Sequence, residues 1–185
     1  MGENLPLVRD AVALIRMADA RDDGVKYKLR LAQYLYSFGD LAGAEEALDE
    51  YAAYRAARNE ETHVEALAAL KPGAPAPSLP GPDTHVEIFR SRILSLRQGP
   101  DAAIDYLRSQ GFTPNQTLGL AQHWLGLISE TMAAPEDVFA LAESLIAEYD
   151  HVSLRRQFVN YAVNANRGNA AFALVDDLIA KNPYD

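Results

Sequence analysis

Apolar residues recur at three- and four-residue steps along nearly the whole chain, and that spacing leaves few architectures open. Val8, Val12, Ile15 and Ala18 or Asp19 form a first stripe, Leu29, Ala32 and Tyr36 a second, and Leu41, Ala44, Leu48, Tyr51 and Ala52 a third. Ala, Leu, Glu, Gln and Arg, all good helix formers, are abundant, and no segment alternates as a strand does. Short polar or Gly-containing breaks separate the stripes: Asp22–Gly24, Phe38–Asp40, Arg97–Pro100, Gln110–Pro114 and Arg167–Asn169. The expected fold class is all-α, with antiparallel helical hairpins stacked on one another. A helix over Leu5–Ala20 is expected to cap the stack or pack across it.

One stretch departs from this pattern. KPGAPAPSLPGP, Lys71–Pro82, places prolines at 72, 75, 77, 80 and 82 and cannot be helix interior. It reads as an extended polyproline-like spacer, with a PxxP ligand as the minor alternative. The expected organisation is therefore 1–70 with the first hairpin, 71–82 as linker, and 83–185 as three further hairpins packed together. A chain of 185 residues is long enough to bury a core without crosslinks.

The formal net charge is −9, and the segments on either side of the Pro-rich stretch carry about −5 each, with Lys71 making the difference. Neither half has the basic footprint of a nucleic-acid binder, and simple attraction to an anionic membrane is disfavoured. With no cysteine there can be no disulfide, zinc–thiolate site, iron–sulfur cluster or thiol nucleophile, which is compatible with a reducing cytosol. The first residues are acidic, and Arg9 and Arg16 interrupt the apolar pattern, unlike a signal peptide. Pro6 stands where a myristoylation motif needs Ser or Thr. A cytoplasmic location is expected.

Two stretches, ETHVEALA at Glu61–Ala68 and DTHVEIFR at Asp83–Arg90, share Thr-His-Val-Glu. Thr62 with Glu65 and Thr84 with Glu87 have capping-box spacing, so both stretches read as helix starts. His63 and Glu65 lie about 200° apart around a helix and cannot converge on a metal unaided. Thr113-Pro114-Asn115-Gln116 is a third start signal. The other histidines, His85, His123 and His151, gather no ligand set, although Glu148 and His151 are three residues apart. No HExxH, GxSxG, phosphate-loop or dinucleotide fingerprint occurs. The pairs Glu45-Glu46, Glu60-Glu61 and Asp176-Asp177 read as solvated surface. No cofactor, metal or catalytic residue is assigned.

Four segments follow one plan of helix, turn and helix: Arg30–Tyr51, Arg90–Gln110, Gln122–Tyr149 and Val159–Pro183. In this the chain resembles the tetratricopeptide repeat family. With Gly39 on the family's turn glycine, Leu31 and Ala32 fall on its first-helix Leu-Gly pair and Ala44 on the small residue of the second helix. Trp124, Leu127, Ala140 and Ala147 fall on equivalent positions of the third unit, and Ala173 and Ala180 on those of the last. No single unit holds the complete set, Tyr51 replaces an expected Ala, and Pro135 sits in a turn.

The resemblance implies a concave face lined by the first helices. Mapped here, it would present Leu29, Gln33 and Tyr36, then Phe89 and Ile93, then Gln122 and Leu125, then Arg155 and Phe158, with Lys26, Val86, Leu96, Ser129 and Ala162 beside them. This set is more apolar than a groove for acidic peptide ends; it would suit an amphipathic helix as partner, and equally a cover formed by the Pro-rich segment. The leading functional expectation is a non-catalytic scaffold or adaptor that binds a protein or peptide, with a second copy of the chain also able to fill the face. A helical small-ligand-binding domain, and an all-helical enzyme using acids such as Glu130 and Glu143, stay open.

Overall fold

The computed structural model describes residues 10, 13–14, 17, 25–71, 73–78, 81–169, 171–172, 176 and 180. The first apolar stripe, the break at Asp22–Gly24 and Ala173 lie outside the described residues. Seven helices are described in full: α1 (Val25–Ser37), α2 (Leu41–Ala68), α3 (Thr84–Gln98), α4 (Pro100–Ser109), α5 (Leu118–Glu130), α6 (Pro135–Tyr149) and α7 (Val152–Asn164). No strand occurs among the described residues. The fold class is all-α.

The chain forms two compact units, Met1–Ile93 and Leu94–Asp185. In the first, α1 and α2 make the expected hairpin. Gly39 ends α1 at φ +81°, a left-handed conformation that glycine adopts without a Cβ penalty. Asp40 then caps α2, its carboxylate accepting from the Gly43 amide at 2.9 Å. Ala32, Ala44 and Leu48 are fully buried. Alanine at the crossing lets the two backbones approach closely. Lys28 pairs with Glu50 at 3.2 Å, which fixes the antiparallel register. Helix α3 returns antiparallel to α2, since Asp83 meets Arg55 at 3.2 Å and Arg90 meets Asp49 at 2.6 Å. Its Val86, Phe89 and Ile93 complete the first core.

Packing therefore divides later than the Pro-rich stretch. The segment expected to open a separate hairpin at Arg90–Gln110 is shared: the chain up to Ile93 belongs with α1 and α2. Val86, Phe89 and Ile93 of α3 are buried against the α1–α2 hairpin, a partner that the composition of the linker before them does not reveal.

The second unit repeats the plan. Tyr149, at the end of α6, donates to the Asn115 carbonyl ahead of α5, so α5 and α6 are antiparallel. Arg167, beyond α7, pairs with Glu136 at the start of α6 at 2.9 Å, so α6 and α7 are antiparallel too. Helices α5 and α7 consequently run parallel and touch, with α6 packed against both and α4 packed on α5. The core contains Ala121, Leu125, Val138, Ala142, Leu145, Leu154 and Phe158. Phe139 meets Phe158 edge-on at 5.2 Å and Tyr161 at 5.6 Å.

Two of the expected helix starts are not starts. Thr62 lies inside the continuous α2, its hydroxyl donating back to the Arg58 carbonyl at 2.9 Å. The capping box lost because Ala-rich sequence on both sides propagates one helix, and extending a helix costs less than nucleating a second. At the second site α3 does begin, but Asp83 supplies the cap by accepting from the His85 amide at 3.0 Å. The signal at Thr113–Gln116 folds as a turn, in which Gln116 accepts from the Thr113 amide at 3.3 Å, and α5 starts later with Thr117 capping Leu120.

Candidate functional site

The parallel pair α5 and α7 encloses a cleft of about 520 Å³ in the second unit. Leu125, Gly126, Ser129 and Glu130 line it from α5. Gln157, Asn160, Tyr161, Asn164 and Ala165 form the α7 wall. The space beside Gly126 is open: a Cβ built there meets nothing within 4 Å. The Ser129 hydroxyl is turned to its own helix and donates to the Gly126 carbonyl at 2.7 Å.

The α7 wall is a row of carboxamides. Gln157, Asn160 and Asn164 occupy steps of three and four and share a helix face. The Gln157 Oε1 atom is buried and has no hydrogen-bond partner among the described residues. Asn160 and Asn164 are exposed. An unpaired buried carbonyl costs free energy unless something else satisfies it.

Hydrogen bonds lock the opposite end of this helix pair. His151 caps α7, its Nδ1 accepting from the Ser153 amide at 3.2 Å, and the Ser153 hydroxyl lies 2.7 Å from the same nitrogen. Gln122 of α5 donates to Ser153 Oγ. Asp150, left-handed at φ 42°, ends α6 and pairs with Arg155. These contacts hold α5 and α7 side by side from the N-terminal end and leave the C-terminal halves to form the cleft.

The residues expected on an apolar concave face occupy different places. Phe89, Ile93, Leu125 and Phe158 are core residues, at 6%, 2%, 2% and 2% exposure. Leu29 is half-buried against the first core, and Tyr36 packs on Phe89 with ring centres 5.3 Å apart. Gln33 is exposed, Gln122 is half-buried in the link to Ser153, and Arg155 is buried at 7% exposure on Asp150. The apolar positions are consumed because an outer helix of this plan packs against two neighbours. Only Leu125 and Ser129 of the mapped set reach the cleft. The residues missed are Gly126, Gln157, Asn160, Tyr161 and Asn164; Glu130 was singled out only as a candidate acid of the enzyme alternative. For the α7 residues the signal was present as Gln-x-x-Asn-x-x-x-Asn in RQFVNYAVN, carboxamides repeating at steps of three and four.

Among the described residues, no group of three or more His, Asp or Glu side chains is placed to hold a metal ion. No helix among them is long and apolar enough to cross a membrane. Comparison with known families, characterised proteins and solved structures finds no match.

Proposed function

We propose that the protein is a non-catalytic interaction module of stacked, tetratricopeptide-like helical hairpins, and that the α5–α7 cleft is where it receives a peptide segment of a partner. The observation that carries this reading is the carboxamide row Gln157, Asn160 and Asn164 along an open cleft that Gly126 also lines. Carboxamides both donate and accept hydrogen bonds but neither ionise nor attack, so they suit recognition rather than bond making. The packing of α5, α6 and α7, with outer helices parallel and the middle one reversed, supports the hairpin-stack reading. The cleft offers a mixed lining, with Leu125, Tyr161 and Ala165 beside the carboxamides, where a mainly apolar face was first expected.

The test is selection of binders from a displayed random-peptide library against the immobilised full chain, with Gly126→Leu as counter-target. Enrichment of peptides that bind the native chain and not the variant is the expected result. Thermal melting shows whether the variant is folded. Failure to enrich, or equal binding to both, removes the cleft from the reading.

A further inference from the structure

The cleft carries more information than its size, because two of its features have a sign and a period. Both α5 and α7 end beside it: Glu130 is the last residue of α5, and Asn164 the last of α7. Parallel helices that end together place two negative helix termini at one site, and Glu130 adds a full negative charge there. The basic residue that follows α7, Arg167, is drawn away onto Glu136 at 2.9 Å. That end of the cleft is therefore electronegative and favours a cation.

The period comes from α7. Asn160 and Asn164 are separated by about 6 Å along the helix axis. An extended peptide presents main-chain groups to one side every second residue, at about 6.7 Å. A carboxamide can accept from one peptide N–H and donate to a carbonyl, so the two rows match in chemistry and nearly in spacing. A helical ligand has already spent its main-chain groups internally and would leave the Asn row unsatisfied.

Resting on the peptide-binding reading above, we infer that the ligand is an extended peptide segment that carries a lysine or arginine: its main chain lies along Gln157, Asn160 and Asn164, and its cationic side chain reaches Glu130 between the ends of α5 and α7. An amphipathic helix and an acidic peptide end are both excluded by this assignment.

The experiment uses fluorescein-labelled, end-capped hexapeptide pools, each pool with Lys, Glu or Ala fixed at one position, and reads anisotropy against the full chain. A Lys pool is expected to bind best. Glu130→Gln should weaken that pool by about tenfold, the size of a lost charged hydrogen bond, and leave the Ala pool unchanged. N-methylation of alternate main-chain amides in the best Lys peptide should also weaken it by about tenfold. Gly126→Leu should abolish binding of every pool while thermal melting shows a folded chain. If binding is lost in Gly126→Leu but Glu pools bind best, or Glu130→Gln or N-methylation has no effect, the cationic extended ligand is overturned and peptide binding in the cleft stands. If no pool binds, or Gly126→Leu binds as the native chain does, the peptide-cleft reading falls and this inference falls with it.

Discussion

The two units use one plan and differ in how the middle helix ends. In the second unit α6 is 15 residues long, and Asp150 and His151 alone join it to α7. In the first, α2 is 28 residues long, yet its buried residues are only Ala44, Ala47 and Leu48. From Asp49 to His85 no described residue is buried. The pair Arg55–Asp83 shows that the chain leaves and re-enters the core at the same level. The described residues between 56 and 82 lie outside that core: a helical limb supported locally by Arg58–Glu61 at 3.0 Å, then a turn at Gly73 (φ +87°). Helix length and helix stability are thus separable. The three-helix core needs only the first turns of α2, and the remainder persists on alanine propensity and local pairs.

The sharpest way to break the parallel between the units is to remove an aromatic from each core. Phe158→Ala should cost about 3–5 kcal/mol, and Phe89→Ala should fall in the same range, read from denaturant midpoints. Val64→Ala on the helical limb, at 58% exposure, should change stability by less than about 0.5 kcal/mol. A large loss there would show that the limb has a core of its own.

Next in size is overpacking at the alanine crossings. Ala44→Leu in the first unit and Ala142→Leu in the second, both fully buried, should each cost about 1–3 kcal/mol. Unequal losses would show that one hairpin is packed more loosely. Smaller again is the cap: Asp40→Ala should cost about 1 kcal/mol. Replacing residues 56–82 by a short Gly-Asn turn should leave helical cooperativity intact and alter stability by no more than about 1 kcal/mol, measured by urea unfolding followed by circular dichroism.

The smallest effect is a dependence on pH in the first unit. Burial first, then the neighbouring Asp83 carboxylate, raises the Tyr51 phenol above its ordinary value, with Arg55 acting the other way. The unfolded chain releases this proton at about pH 10, before the folded chain does. The Tyr51 contribution is therefore intact below that pH and is lost as pH rises on through the higher folded value. Asp83→Asn should shrink the decline, checked by unfolding midpoints and tyrosinate absorbance across the alkaline range.

Much of the fold could be read from residues alone. The three-to-four periodicity identified α1 and α2 with their buried stripes, and Phe38–Asp40 marked the turn that Gly39 and Asp40 make. The cleft was less legible. Leu125 and Ser129 were in the mapped groove, but Phe89, Ile93 and Phe158 were assigned to a surface when they are core. Periodicity shows which side chains share a helix face, and it does not say how many neighbours that face must satisfy. The capping signals at Thr62 and Thr113 failed for a related reason. A cap competes with continuation of the helix or with a turn, and flanking residues decide the winner.

Sequence by itself determined an acidic, cysteine-free, all-helical chain punctuated by Gly and Pro, because these properties follow from composition and local periodicity. Tertiary structure alone decided that α3 joins the first core, that the second half of α2 stands outside it, and that Gln157, Asn160, Asn164 and Glu130 share one cleft with Gly126. Those outcomes depend on which helices run parallel and where they end, and parallel direction is a property of packing between segments distant in the chain.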